Sequence, residues 1–192
     1  MNLTTNLLVC GILLMNYRKK NLLTKNDIKD GFLEMLKSLP LDKITVSDLC
    51  DKVGINRSTF YYYYDNVRRL FQDVCNDYFD SITERLNICE MIKEYHCEFD
   101  CDALIELLRD IRYKDNRLKL FLENGEKELF FVSAFDYLYD VFKISEDDVV
   151  KRYKAFSCFS NGLMLVANWI YNGFDIDENT LSLLICSFRI DE

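Results

Sequence analysis

Polar donors and aromatic rings are concentrated between Asn56 and Tyr64, where the sequence reads NRSTFYYYY. The segment combines one guanidinium group, two aliphatic hydroxyls and five consecutive aromatic rings. A short helix with so many polar tips is poorly suited to a buried core, whereas its donors suit phosphates and base edges. Arg57 is the best candidate for a bidentate contact with guanine. DNA binding is therefore the leading hypothesis for this stretch.

The hydroxyl groups in and around this segment have a different predicted role from Arg57. Aliphatic hydroxyls and tyrosine phenols suit phosphates, and such contacts position a protein without reading the base sequence. The predicted DNA-contacting residues are Thr45, Asn56, Arg57, Ser58, Thr59, Tyr61, Tyr62, Tyr63 and Arg68.

Two short helices joined by a tight turn would position these side chains. Thr45 can cap a helix that runs to Val53, with Asp48 three residues on as a variant of the capping box. Gly54 follows and can take the positive φ that a sharp turn requires. Asn56 then caps the helix that carries the aromatic run. This order predicts a helix-turn-helix, in which the first helix braces the DNA backbone and the second enters the major groove.

Packing within this motif must divide the aromatic run between two faces. Four consecutive helical positions point in all directions, so at most two of residues 61–64 can be buried. Phe60 and Tyr64 are four residues apart and form the natural inward pair, which leaves Tyr61 to Tyr63 outside. Cys50 is predicted at the close helix crossing, where only a small side chain fits. The remaining core of the motif is predicted to comprise Ile44, Val46, Leu49, Val53 and Ile55.

Charge is distributed unevenly along the 192 residues. The net charge is −8, yet residues 18–70 contain eleven Lys/Arg against seven Asp/Glu, and residues 71–192 contain thirteen against twenty-five. A basic N-terminal third joined to an acidic remainder indicates two separate tasks, because DNA repels an acidic surface. We expect an N-terminal extension at 1–20, a DNA-binding domain at 21–70 and a second domain at 71–192.

Apolar residues recur at helical spacing through most of the chain, and no strand or internal repeat is evident. The single proline and six glycines also favour an all-α protein. Beyond the helix-turn-helix, helices are predicted over 25–39, 67–95, 102–111, 117–122, 127–142, about 145–171 and about 177–188.

The apolar run at 7–15 precedes the basic residues Arg18, Lys19 and Lys20. It is too short to span a bilayer, and its flanking charges are on the wrong side for a secretory signal. An accessory helix, or an upstream extension with the natural start at Met15, explains it better. We expect a cytoplasmic protein.

The eight cysteines have irregular spacing and no CxxC pair, which favours reduced thiols. His96 with Cys89, Cys97 and Cys101 is the one cluster with ligand chemistry, although it lacks the short paired spacings of zinc sites. A metal or thiol sensor is therefore the weaker alternative, and no metal or cofactor is expected. The chain also lacks GxSxG, HExxH and a glycine-rich phosphate loop, which argues against an enzyme.

The stretch from Thr24 to Phe79 resembles the TetR family of bacterial transcriptional regulators. The family's helix-turn-helix pattern is matched at Ile44, Thr45, Asp48, Leu49, Val53, Gly54, Ile55, Thr59, Phe60, Tyr61 and Tyr63. The sequence departs from the pattern mildly at Cys50, Asn56 and Tyr64. It departs more at Val67, where the family usually places a lysine that grips phosphate, a contact that Arg68 or Arg69 could replace.

A weaker resemblance covers residues 116–125 and 161–174, which are similar to the C-terminal domain of a TetR branch that includes dihydroxyacetone kinase regulators. The resemblance implies an all-helical C-terminal domain with a ligand pocket and a dimer formed by its last two long helices. Aromatic residues at helical spacing are more often plain core, but a pocket would be lined by Phe131, Phe135, Tyr139, Phe156 and Phe159. A dimer interface, unless this helix is simply core, would contain Ser160, Gly162, Leu163, Val166, Ala167, Ile170 and Leu184.

Two hypotheses remain from the sequence. The first is a homodimeric repressor that binds operator DNA and is released by a small-molecule effector. The second is a helical interaction or sensor protein that keeps the module but binds DNA weakly, as the acidic remainder and Val67 suggest. Neither requires a membrane.

Overall fold

The computed structural model describes residues 24–87, 100–141 and 149–187. Throughout these ranges the regular structure is helical and no strand occurs, which confirms the predicted all-α class. The chain divides into two compact units, one ending at Leu70 and one beginning at Phe71. The predicted extension at 1–20 lies outside the described residues. No described helix is both long and apolar enough to cross a membrane.

The helices of the two units are named here in chain order. Unit 1 contains α1 (24–36), a 3-10 turn (Leu41–Lys43), α2 (Val46–Val53), α3 (Arg57–Tyr63) and the first residues of α4 (Val67–Arg85). Unit 2 contains the rest of α4, α5 (Cys101–Tyr113), α6 (Arg117–Glu123), α7 (Lys127–Val141), α8 (Val149–Tyr171) and α9 (Glu178–Cys186).

Two helices end three or more residues before their predicted last residue. α4 ends at Arg85 instead of continuing to residue 95, because Asn87 adopts a left-handed φ of 50° that breaks the helix. α1 stops at residue 36 rather than 39, and Leu39 is exposed. The predicted cap at Ser145 lies outside the described residues.

The core of unit 1 brings α1 against α2 and α3. Ile28, Phe32 and Leu36 are completely buried on α1. A Cβ added at Gly31 would collide with the Val53 side chain, so α1 and α2 approach closely. Among the predicted core residues of the motif, Ile44, Leu49 and Phe60 are buried, whereas Val46, Val53 and Ile55 are half-buried.

In unit 2, α5 and α9 are joined by an ion pair. Arg112 near the end of α5 donates to Glu178 at the start of α9 with a separation of 3.0 Å. Trp169 on α8 is 1% exposed and donates from Nε1 to the carbonyl of Ile176 at 2.8 Å, which fixes the turn between α8 and α9.

The left-handed conformation at Gly54 gives the first prediction. Gly54→Ala should lower the free energy of unfolding by about 1 kcal/mol, because a Cβ is strained at φ 74°. Gly54→Asn should cost less, since asparagine tolerates this region. Urea denaturation followed by circular dichroism measures both, and an alanine variant as stable as the original would contradict the assignment.

Candidate functional site

The N-terminal cap of α2 sets the start of the helix-turn-helix. The Thr45 hydroxyl accepts from the Asp48 N–H at 3.2 Å and donates to the Asp48 carboxylate at 2.7 Å. This confirms Thr45 as the N-cap residue. Because both sides of its hydroxyl are used within the cap, Thr45 first stabilises α2 and only secondarily offers an oxygen to a ligand.

The turn between α2 and α3 depends on Gly54. Its φ of 74° and ψ of 37° are left-handed, and its N–H donates to the carbonyl of Cys50 at 2.9 Å. The N–H of Ile55 donates to the same carbonyl at 3.0 Å, so the helix end closes tightly. Cys50 is 2% exposed, and burial raises the pKa of its thiol although the charge of Arg57 acts against the shift. Cys50 therefore packs as a small neutral side chain, as the sequence predicted.

The aromatic run on α3 divides between two faces. Phe60 and Tyr64 are 0% and 4% exposed, with their ring centroids 5.9 Å apart, which confirms the inward pair. Tyr61 and Tyr62 are 56% and 66% exposed. Tyr63 is only half-buried and packs edge-on against Tyr62 at 4.9 Å. The exposed aromatic rings of α3 are therefore mainly those of Tyr61 and Tyr62.

Arg57 is the exposed cation at the start of α3. Its Nη2 donates to the Ser47 hydroxyl on α2 at 2.6 Å, which ties the two helices together. A guanidinium carries five N–H donors, so this one bond leaves others for an anion or a base edge. Ser47 is not among the residues predicted from the sequence, because its contact with Arg57 joins residues ten positions apart across the turn.

The remaining predicted contact residues occupy less uniform positions. Asn56 is the N-cap residue of α3, but its side chain makes no capping hydrogen bond, so that part of the prediction is wrong. Asn56, Ser58 and Arg68 are exposed, whereas Thr59 is half-buried. Most of the predicted surface is therefore accessible on unit 1.

Val67, where the sequence pattern predicted a missing phosphate-binding lysine, is the first residue of α4. Asn66 caps this helix, since its side-chain oxygen accepts from the Arg69 N–H at 2.9 Å. Val67 is half-buried, whereas Arg68 and Arg69 are exposed. The exposed positive charges at this helix start therefore lie one and two positions after Val67.

Unit 2 encloses a cavity of about 100 Å³ with an almost entirely apolar lining. Its polar groups are the hydroxyls of Thr83 and Tyr137, 2.9 Å apart, and Tyr137 donates further to the Asp80 carboxylate at 2.7 Å. The apolar lining comes from all six helices α4 to α9 and includes Phe79, Leu107, Leu118, Ala134, Leu163 and Ile185.

The predicted pocket residues lie on α7 and α8, and most of them do not line the cavity. Of the five, only Phe159 lines the cavity. Phe135 and Tyr139 are 53% and 54% exposed, and Phe131 and Phe156 are half-buried. The cavity is lined instead by the neighbouring positions of α7, which carry Ala134, Tyr137 and Leu138.

Most of the predicted dimer residues face the interior of unit 2. Gly162, Leu163 and Val166 line the cavity, and Ala167 and Ile170 are buried. Ser160 is half-buried, and Leu184 is exposed at 48%. Gly162 faces Ile185 on α9, and a Cβ added there would meet that side chain at an ordinary 3.7 Å. Large exposed apolar side chains occur instead at Met164, Tyr171 and Leu183.

Three members of the possible sensor cluster, Cys89, His96 and Cys97, lie outside the described residues. The fourth, Cys101, approaches Cys186, and the two sulfur atoms are 3.1 Å apart. Across the described ranges no group of three or more histidine, cysteine or acidic side chains could hold a metal ion.

Comparison with known proteins places this fold among bacterial regulators. No family model and no curated protein matches the chain. A TetR transcriptional regulator from Streptococcus agalactiae has a similar structure, with a TM-score of 0.60, 17% identity, and coverage of 91% of this chain and 97% of that chain. The fatty acid degradation regulator FadR from Bacillus halodurans has a TM-score of 0.54 at 15% identity, covering 86% and 96%. NalD of Pseudomonas aeruginosa, the secondary repressor of the MexAB-OprM multidrug efflux pump, has a TM-score of 0.54 at 14% identity, covering 87% and 94%. The chain therefore shares the all-helical fold of these regulators.

The cap at Thr45 gives a second prediction. Thr45→Ala should lower the free energy of unfolding by about 1 kcal/mol, because the Asp48 N–H loses its acceptor. Thr45→Ser keeps the oxygen and is the matched control. Urea denaturation of both variants measures the difference, and equal losses for alanine and serine would show that the hydroxyl does not cap α2.

Proposed function

We propose that this protein is a dimeric transcriptional regulator, acting as a repressor, that binds operator DNA through α2 and α3. The observation that carries the proposal is the surface of α3, where Arg57, Tyr61 and Tyr62 are exposed beside a helix-turn-helix closed by Gly54. Such a helix fits the major groove and offers one bidentate donor and two phenol groups.

The distribution of charge supports unit 1 as the DNA-binding part. Residues 18–70 carry an excess of basic side chains, whereas residues 71–192 contain twenty-five acidic and thirteen basic residues. Electrostatic attraction to phosphates supplies much of the affinity of such proteins and is weakened by salt. The basic unit 1 therefore attracts DNA, whereas the acidic unit 2 repels it and serves other functions in our proposal.

The role of Arg57 gives the third prediction. Arg57→Ala should weaken binding to a duplex enriched by the full-length protein from a random-sequence pool by roughly 5- to 100-fold, and should relax the preference at one position. Arg109→Ala is the matched control, because it removes the same charge from an exposed position on unit 2. Fluorescence anisotropy over a series of salt concentrations measures affinity and its salt dependence.

The result also separates this proposal from a helical interaction protein, which the displaced charge near Val67 favours. A regulator shows sequence-selective binding that falls steeply with salt. If no duplex is enriched, the interaction protein is the better description. If Arg57→Ala and Arg109→Ala bind alike, α3 is not the reading helix.

Self-association in our proposal uses the exposed apolar side chains of α8 and α9. Met164 and Tyr171 on α8 are 55% and 80% exposed, and Leu183 and Leu184 on α9 are 68% and 48% exposed. Exposed apolar side chains grouped on two helices are typical of a surface that another protein covers. A symmetric pair of units would also present two reading helices to two half-sites.

The fourth prediction tests this surface. Leu183→Glu should convert a dimer into a monomer of 22.8 kDa in sedimentation equilibrium, because each copy would bury a new charge. Val132→Glu is the matched control on α7, where Val132 is 52% exposed. Dissociation by Val132→Glu alone would move the interface to α7, and a monomeric unmodified protein would overturn the dimer.

The effector in this proposal occupies the cavity of unit 2. The lining is apolar apart from the hydroxyls of Thr83 and Tyr137, so it suits a small uncharged molecule with at most one polar group. An ionised ligand would lose its hydration without a partner of opposite charge among the lining residues. We also propose that the protein belongs to the branch of TetR regulators that includes dihydroxyacetone kinase regulators.

A further inference from the structure

A pair of thiols joins the start of α5 to the end of α9. The Sγ atoms of Cys101 and Cys186 lie 3.1 Å apart, although the two residues are separated by 85 positions in sequence. Cys101 is exposed and Cys186 is half-buried, so solvent reaches at least one of the two sulfurs. A disulfide has a sulfur–sulfur bond of about 2.05 Å. The two sulfur atoms therefore need to approach each other by about 1 Å, which small side-chain rotations can supply.

The two helices are already held at their opposite ends by a different contact. The Arg112–Glu178 ion pair joins the end of α5 to the start of α9, whereas the thiols join the start of α5 to the end of α9. The helices therefore run antiparallel, and a bond between the sulfurs would fix the second end. Leu104 on α5 and Ile185 on α9 both line the cavity, so the bond would also tie together two of its walls.

We propose that Cys101 and Cys186 form a reversible disulfide and are a site of thiol oxidation by hydroperoxides. Two other cysteines whose side chains the structure describes, Cys50 and Cys75, are poor candidates. Cys50 and Cys75 are 2% and 0% exposed, and burial raises the pKa of both thiols. Accessibility and a neighbouring thiol distinguish the proposed pair from these two.

The oxidation proceeds in two balanced steps. The more exposed Cys101 sulfur attacks the distal oxygen of a hydroperoxide, which breaks the O–O bond, gives a sulfenic acid and releases an alcohol, or water when the oxidant is hydrogen peroxide. The Cys186 sulfur then attacks the sulfenic sulfur, forms the S–S bond and expels hydroxide, which combines with the thiol proton to give one molecule of water. The two thiols lose two electrons in total, and the hydroperoxide accepts them. A reducing dithiol reverses the bond by exchange.

The experiment uses the reduced full-length protein, treated with a small excess of hydrogen peroxide and then alkylated. Digestion with trypsin and a glutamate-specific protease separates Cys97 from Cys101 at Glu98, and Cys158 from Cys186 at Glu178. Mass spectrometry then identifies which cysteines are joined. Cys101→Ser and Cys186→Ala are the variants, and each retains one thiol of the pair.

The expected result is a cross-linked peptide that contains Cys101 and Cys186, with the loss of two titratable thiols and recovery of both by dithiothreitol. The melting temperature of the oxidised protein should rise by at least roughly 5 °C, because the bond closes a long loop. Both variants should lose the cross-link and the shift. Cross-links that join either cysteine to another position, covalent dimers on a non-reducing gel, or no disulfide despite loss of thiol would each overturn the proposal.

Discussion

The close crossing of α2 and α3 is the constraint on which the proposed DNA-binding surface depends. It requires two things at once, a left-handed residue at the turn and a small side chain beneath it. Gly54 supplies the first at φ 74°, and Cys50, 2% exposed, supplies the second. With the crossing fixed, burial of Phe60 and Tyr64 determines which face of α3 remains outside. The surface that we propose to contact DNA is therefore the face of α3 opposite to the buried side chains of Phe60 and Tyr64.

Unit 2 is organised around a cavity and around paired helix ends. Side chains from six helices line the cavity. α5 and α9 contact each other through an ion pair at one end and two sulfur atoms at the other. Apolar side chains that do not face the cavity are left on the outside of α8 and α9. We propose that unit 2 uses these features for ligand sensing and self-association, whereas the excess of basic residues lies in unit 1.

The sequence allowed the local features to be predicted and left the long-range ones undetermined. The cap at Thr45 and the turn at Gly54 follow from residue type and short spacing, and both are present. Helical periodicity also separated buried from exposed positions, but it cannot say against what a residue is buried. Gly162, for example, lines the cavity of its own chain, and the α7 residues that line the cavity are neighbours of Phe135 rather than Phe135 itself. No local pattern brings Cys101 to a sulfur 85 positions away.

Photo-cross-linking tests the central claim, that α3 is the helix that reads DNA. The full-length protein would be irradiated on a duplex that it has itself enriched from a random pool, and the adducts mapped by mass spectrometry. Our account predicts adducts at the exposed rings of Tyr61 and Tyr62. Adducts confined to residues from Phe71 onward would contradict it, because DNA would then contact the acidic unit and not the helix-turn-helix.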